Sequence, residues 1–192
     1  MKSTSMVKAI IFDCFGVLYG GSLETLASQA PPERRKDVYD INSAKDYGYI
    51  NYQEYLAQIG EIIGVSPEEV DRIMCQHHVP NNELIEYAKQ LKAVHKTALL
   101  SNIGDQVIER LFDGKVDEYF TEVFLSYKEG IAKPNPDAFR LAAARLGVNP
   151  EDCVMIDDLA SNCEGAELAG MQSIQHITNE STIAKLTTLL AE

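Results

Sequence analysis

The sequence predicts a doubly wound α/β domain, in which parallel strands alternate with helices. Two observations lead to this prediction. Five short apolar runs are bounded by polar residues, which is typical of strands buried on both faces of a parallel sheet. Helical patterns separate these runs from about residue 94 onward, and such alternation favours a doubly wound fold.

The predicted elements follow in chain order. Strands are predicted over 7–12, 94–100, 122–125, 153–156 and 172–177. Helices between and after the later strands are predicted over 82–91, 105–112, 137–146, 162–168 and 181–190. The third of these helices has the clearest ends, because Asn135 suits an N-cap, Pro136 the first helical position and Gly147 the terminus.

The segment from 20 to 79 has a different pattern and is predicted to be helical throughout. Asn51-Tyr52-Gln53-Glu54 fits a capping box in its asparagine form, and Ser66-Pro67-Glu68-Glu69 fits one with proline at the first helical position. An insertion of this length far exceeds the usual connection between a strand and a helix. We expect it over the carboxyl end of the sheet, where open α/β sheets bind ligands.

Composition narrows the class of protein. The 192 residues include 17 Lys and Arg against 29 Asp and Glu, a net charge of −12. This acidity argues against nucleic acid as a partner. No apolar stretch approaches the ~20 residues of a membrane span, and the first residues do not resemble a secretory signal. The cysteines show no zinc-site spacing, and reduced thiols in a cytoplasmic protein are the simplest interpretation; they are Cys14, Cys75, Cys153 and Cys163.

Polar motifs follow four of the predicted strands. They are Asp13, Ser101-Asn102, Lys133-Pro134 and Asp157-Asp158. Because the carboxyl ends of parallel strands meet at one edge of a sheet, we expect these side chains to share one crevice. Carboxylates, a hydroxyl and an ammonium group in one crevice suit metal-assisted phosphoryl transfer.

In these motifs the chain resembles the haloacid dehalogenase superfamily. All four occur in the family's order, and the resemblance covers nearly the whole chain. The run Ala132-Lys133-Pro134, the pair Asp157-Asp158 and Gly165-Ala166 are most similar to the branch that contains sugar-phosphate phosphatases. The resemblance implies a Rossmann-like core formed by 1–19 and 80–192, with a small helical cap over 20–79.

The resemblance also implies roles for individual residues. Asp13 matches the nucleophile that forms an aspartyl-phosphate, and Lys133 matches the group that neutralises charge beside it. Ser101 and Asn102 would hydrogen-bond phosphoryl oxygens, and so would the backbone at Cys14 and Phe15.

Mg²⁺ is the implied cofactor. Its ligands would be Asp13, the Phe15 carbonyl and Asp158, although the order of Asp157 and Asp158 could be reversed. Asp157 would then support the site. Asn162 would hold Lys133 or a metal-bound water; a role as helix N-cap explains it nearly as well, and the two roles are compatible. The implied partner is a small phosphorylated metabolite, and the oligomeric state stays open.

Phe15 departs from the family pattern, because most phosphatases of the family have aspartate two residues after the nucleophile. That aspartate protonates the leaving group, and such help is worth roughly 10²–10⁴-fold. Three interpretations follow: a phosphatase that works without this acid, a metal-free 2-haloacid dehalogenase in which Asp13 attacks carbon, or a relative that binds without turnover. The pair Asp157-Asp158 favours the first, since loss of the metal site is expected of a dehalogenase.

Overall fold

The computed structural model describes residues 6–104 and 107–191. Within these residues the strands are β1 (Ala9–Phe12), β2 (Lys96–Ser101), β3 (Glu122–Leu125), β4 (Cys153–Asp157) and β5 (Gln172–Gln175). They form one parallel sheet in the order β3-β2-β1-β4-β5. Helices flank the sheet, so the predicted Rossmann-like, doubly wound α/β fold is confirmed.

The helices are α1 (Leu23–Gln29), α2 (Arg35–Asp46), α3 (Tyr52–Ile63), α4 (Pro67–His77), α5 (Asn82–Lys92), α6 (Val107–Leu111), α7 (Ser126–Glu129), α8 (Pro136–Leu146), α9 (Ala160–Ala169) and α10 (Asn179–Leu190). Short 3-10 turns occur at Pro32–Arg34, Val116–Glu118 and Pro150–Asp152. No helix in the described part of the chain combines the length and apolar character needed to cross a membrane.

The sheet is apolar on both faces because alternate residues of each strand point to opposite sides. In β1, Ile10 and Phe12 join one buried cluster, whereas Ala9 and Ile11 join another. The second cluster is completed by α8 and α9. The first continues into the helices that follow β1, including Leu26 of α1. The inserted helices therefore share a core with the sheet.

Helices α1 to α4 fill the interval predicted to be helical. The capping box at Asn51 is confirmed, with its side chain accepting from Glu54 N at 2.9 Å and Glu54 accepting from Asn51 N at 2.8 Å. The chain enters and leaves this insertion side by side. Gly20 N donates to Val79 O at 2.9 Å, and Asn81 N donates to Leu18 O at 2.8 Å. That 20–79 forms a separate cap domain stays a prediction.

Several predicted boundaries are wrong. β2 begins at Lys96 because Val94 and His95 donate to the Leu91 carbonyl and still belong to the turn after α5. β5 ends at 175, and α10 begins at 179. The start predicted for the helix at 105 lies outside the described residues.

Helix α9 begins at Ala160, so Asn162 lies inside it and is not its N-cap. The helix ends predicted for α8 are confirmed, including the left-handed Gly147.

Candidate active site

The carboxyl end of β1 places Asp13 at the centre of the site. Its backbone N–H donates to Ile156 O at 2.9 Å, which extends the pairing of β1 with β4 by one residue. The residue is 7% exposed. One carboxylate oxygen, Oδ1, accepts a hydrogen bond of 2.7 Å from the Cys14 backbone N–H. The carboxylate is thus held in a fixed orientation in a nearly closed space.

Lys133 lies between Asp13 and Asp157 and contacts both carboxylates. Its ammonium nitrogen lies 2.8 Å from Asp13 Oδ1 and 2.6 Å from Asp157 Oδ2. The lysine is 3% exposed, and a buried charge is tolerated only when it is paired in this way. The strand-end motifs predicted to converge, from β1, from the segment after β3 and from β4, therefore do converge.

Two neighbours hold the segment that carries Lys133. Asn102 clamps its backbone, donating from Nδ2 to Lys133 O and accepting from Lys133 N, both at 2.8 Å. On the other side α9 approaches so closely that a Cβ on Gly165 would lie 2.2 Å from Pro134 O. The Asn102 side chain thus positions the segment of Lys133, and its contact with phosphate stays a prediction.

Asp157 has hydrogen bonds on both carboxylate oxygens. Oδ2 accepts from Lys133, and Oδ1 accepts from Leu159 N at 3.0 Å and from Asn162 Nδ2 at 2.9 Å. The residue is fully buried. Asn162 therefore orients Asp157 and holds Lys133 only through it.

Asp158 follows directly and lies on the open side of the site, half-buried. Its carboxylate packs on Gly16, where a Cβ would lie 2.3 Å from Asp158 Cγ. Gly16 also has a φ of +85°, a left-handed conformation that glycine adopts without strain. A glycine after Phe15 thus lets the β1 loop approach this carboxylate.

Three carboxylates meet at this edge of the sheet. Oxygen atoms of Asp13, Asp157 and Asp158 lie within 4.8 Å of one another. Carboxylate oxygens are the ligands that hard divalent cations such as Mg²⁺ prefer. Since both oxygens of Asp157 are already engaged, Asp13 and Asp158 are the carboxylates that fit a cation here.

The charges of the site perturb one another. Burial raises the pKa of Asp13 to about 7, against the opposing effect of the Lys133 charge. The pKa of Asp158 is also raised, by burial and by the charge of Asp157. Burial acts to lower the pKa of Lys133, but the two carboxylates outweigh it, so that pKa is raised and the ammonium stays protonated. Added positive charge beside Asp13 would favour its ionised, nucleophilic form.

Phe15 is half-buried and packs against the insertion. Its ring lies 4.8 Å from the His78 ring, centroid to centroid. His78 Nε2 is 3.4 Å from Ser22 Oγ, and burial lowers the pKa of His78 to about 4. This contact could not be predicted from the sequence, because Phe15 and His78 are distant along the chain.

The remaining predicted residues lie at the same edge. Ser101 is the last residue of β2 and is 1% exposed. Cys14 is fully buried, and burial raises its thiol pKa well above the usual range. Its sulfur is thus kept as a thiol, whereas its backbone N–H contributes to the site through Asp13.

A family model agrees with this geometry. The model of haloacid dehalogenase-like hydrolases matches residues 7–170. The chain therefore belongs to the haloacid dehalogenase-like hydrolases, and the predicted resemblance is confirmed. It is an enzyme of the hydrolase class.

Two relatives match most of the chain. A glyceraldehyde 3-phosphate phosphatase of Methanopyrus kandleri is 28% identical over 200 residues, covering 88% of this chain and 84% of the relative. A D-ribitol-5-phosphate phosphatase of Bacteroides thetaiotaomicron is 25% identical, covering 96% and 99% respectively.

Solved structures share the fold. A haloacid dehalogenase-family enzyme of Bacteroides thetaiotaomicron, in complex with magnesium and inorganic phosphate, has a TM-score of 0.74 at 23% identity, covering 90% of this chain and 96% of that chain. The L-2-haloacid dehalogenase of Xanthobacter autotrophicus, with chloropropionic acid covalently bound, has a TM-score of 0.62 at 20% identity, covering 95% and 83%. At these identities the likeness establishes the architecture alone.

Proposed function

We propose that this protein is a Mg²⁺-dependent phosphatase of small phosphorylated metabolites of the sugar-phosphate kind, with Asp13 as its nucleophile. The observation that carries the proposal is the cluster of Asp13, Asp157 and Asp158, whose oxygens lie within 4.8 Å of one another beside Lys133. The two phosphatases that match most of the chain support the substrate class.

Asp13 would attack phosphorus through a carboxylate oxygen while the bond from phosphorus to the leaving oxygen breaks. The resulting aspartyl-phosphate would then be cleaved by water at phosphorus, which releases phosphate and restores the carboxylate. Lys133, fixed by Asp157 and Asn102, offsets negative charge at Asp13 and on the phosphoryl group. Ser101, at the end of the neighbouring strand, would hydrogen-bond a phosphoryl oxygen.

Magnesium would be held by Asp13, Asp158 and the Phe15 carbonyl, and would supply positive charge against the phosphoryl oxygens. The engaged oxygens of Asp157 support its assignment to Lys133 and not to the metal. With a single lysine and a divalent cation in the crevice, an acidic protein can still accept an anionic substrate.

The leaving oxygen would take its proton from solvent, because Phe15 has no proton to give. This favours substrates whose leaving groups need little protonation, such as sugar 1-phosphates and acyl phosphates. A dehalogenase needs no cation beside its nucleophile, so the retained Asp158 speaks against that alternative.

The test is a substrate panel under controlled metal conditions. We expect phosphate release from sugar phosphates and from p-nitrophenyl phosphate with Mg²⁺, and none in EDTA. Chloride release from 2-chloropropionate in EDTA would instead establish a dehalogenase. Ligand-induced shifts in melting temperature without turnover would favour a binding protein.

A further inference from the structure

The sheet edge opposite the candidate active site carries a groove, which we call the amino-edge groove. It lies at the amino ends of β1 and β2, where Ala9 and Lys96 are paired in register. Its volume is about 450 Å³, within the range of pockets that bind small organic molecules. Asp13 directly follows the other end of β1, so the groove is separate from the catalytic groups.

Basic side chains line the amino-edge groove: Lys8, Lys92, His95 and Lys96. Such a concentration of positive charge is unusual in a chain with 17 Lys and Arg against 29 Asp and Glu. The charge of Lys8 is neutralised, because its ammonium lies 2.9 Å from Asp152 Oδ2. Neither of the other two lysines has a carboxylate within ion-pair distance in the part of the chain that the structure describes.

Backbone carbonyls hold Lys92 and Lys96 instead. The Lys96 ammonium donates to Leu146 O at 2.6 Å, and the Lys92 ammonium donates to Asp117 O. A carbonyl carries no full charge, and an ammonium group has three N–H donors. Each lysine therefore keeps two donors and an uncompensated positive charge that an anion can engage.

Two further polar groups of the groove can bind a ligand. The ring of His95 is half-buried and has no hydrogen-bond partner among the described residues. Thr121 Oγ1 accepts a hydrogen bond of 3.4 Å from Thr97 N, and its own O–H has no acceptor among the same residues. The polar groups of the groove thus include several donors toward an anion.

The groove also has an apolar side. Met6 is 68% exposed and Val94 is 75% exposed, and both line the groove. Covering large apolar side chains that are this open to solvent is favourable. An inorganic ion would leave them uncovered, whereas an organic anion with an apolar body would contact both kinds of side chain.

We propose that the amino-edge groove binds a small organic anion, with its charged group at Lys92 and Lys96 and its apolar body against Met6 and Val94. A small anion needs only the local positive charge, because distant surface charges are screened. An extended polyanion would instead meet the acidic remainder of the surface. The proposal is independent of the phosphatase function, since none of these residues belongs to the candidate active site.

The test uses 1-anilinonaphthalene-8-sulfonate, an aromatic anion whose fluorescence rises in an apolar site. Titration of the native protein with Mg²⁺ at low salt should show saturable binding of one probe per chain. Lys92→Gln and Lys96→Gln should each raise Kd roughly tenfold, because each removes a charge-assisted hydrogen bond. The matched control is Lys89→Gln, which should keep the wild-type Kd. Lys89 lies on the same helix as Lys92, outside the groove, with its ammonium 3.7 Å from Glu118 Oε2.

Competition experiments test the chemistry of the ligand. Octanoate should displace the probe at a concentration roughly tenfold lower than 1-octanol, which has the same chain length and no charge. Equal displacement by the two compounds would overturn the requirement for an anion. Displacement by inorganic phosphate, with an unchanged Kd in both lysine variants, would place the probe at the candidate active site and overturn the proposal.

The remaining outcomes are also decisive. Absence of saturable binding would overturn the proposal and leave the phosphatase function standing, whereas saturable binding without phosphate release would do the reverse. If a lysine variant does not fold, Val94→Asp at a largely exposed position tests the same point. Its added negative charge should raise Kd at least roughly tenfold, and an unchanged Kd would overturn the proposal.

Discussion

Replacing Gly165 by alanine should displace Lys133 from its carboxylates. The added Cβ would lie 2.2 Å from Pro134 O and 3.0 Å from Phe139 Cε2. Since non-bonded heavy atoms settle well above 3 Å, α9 and the segment at Lys133-Pro134 must separate by about 1 Å. The backbone carbonyl cannot rotate away as a flexible side chain would.

The magnitude follows from the hydrogen bonds of Lys133. Its ammonium lies 2.8 Å from Asp13 Oδ1 and 2.6 Å from Asp157 Oδ2, so a shift of about 1 Å breaks one or both bonds. Misplacement of this size in a catalytic site costs roughly 10²-fold in rate. Overpacking of the helix contact costs about 1–3 kcal/mol of folding free energy.

The assay measures kcat/KM for phosphate release together with urea unfolding of Gly165→Ala. The matched control is Gly21→Ala, whose Cβ would lie 3.9 Å from its nearest neighbour, Phe15 Cβ. Both activity and stability should fall in the first variant and stay near wild type in the second. Wild-type activity and stability in Gly165→Ala would refute the claim that this contact positions Lys133.

Three further predictions concern charge. Asp13→Asn should stabilise the protein in EDTA at pH 8 by about 1 kcal/mol, or ~2–4 °C in Tm. The pKa of the Asp13 carboxylate is raised from 3.8 to about 7, so ionisation of this group lowers the free energy of unfolding as pH rises through that interval. Phe15→Asp should raise phosphate release from alkyl phosphates at least ~10-fold, by supplying the missing acid, and should raise release from p-nitrophenyl phosphate less. His78→Gln should flatten the loss of stability between pH 6.5 and pH 4, since burial lowers the pKa of His78 to about 4 and wild type therefore loses stability as pH falls through that interval.

Each of these has an opposing result. A lower Tm for Asp13→Asn would mean that its pairing with Lys133 outweighs the burial of its charge. An unchanged or lower rate for Phe15→Asp would show that another group supplies the proton, or that the ring shapes the pocket. For His78, the control is His77→Gln in the adjacent position, and equal pH profiles for the two variants would contradict the reasoning.

The location of the candidate active site could be predicted because it lies where the carboxyl ends of the parallel strands meet. Asp13 follows β1 directly and Asp157 ends β4, so the parallel strands bring these two positions together whatever the loops between them do. Lys133 lies farther on, in the segment between β3 and α8, and its place beside them depends on that segment. Which aspartate pairs with Lys133 was harder to predict from the sequence. Whether Lys133 bonds Asp157 or Asp158 depends on the side to which each side chain points, and consecutive residues at the end of a strand point to different sides.

The insertion shows the opposite case. Its helices could be predicted from caps such as Asn51, but the contacts that matter join residues far apart in sequence. His78 packs on Phe15, and Lys45 on Gly104. Helical periodicity shows which face of a helix is apolar, but it does not show which element that face meets, so these contacts could not be recognised from the sequence.

The central claim is that Asp13 becomes phosphorylated during turnover. Acid quenching of the enzyme with Mg²⁺ and a sugar phosphate, followed by borohydride reduction, would convert an aspartyl-phosphate to homoserine, which peptide mass spectrometry locates. We predict homoserine at position 13 in the wild type and none in EDTA. Phosphate release without modification at position 13, or with modification at another residue, would contradict the account.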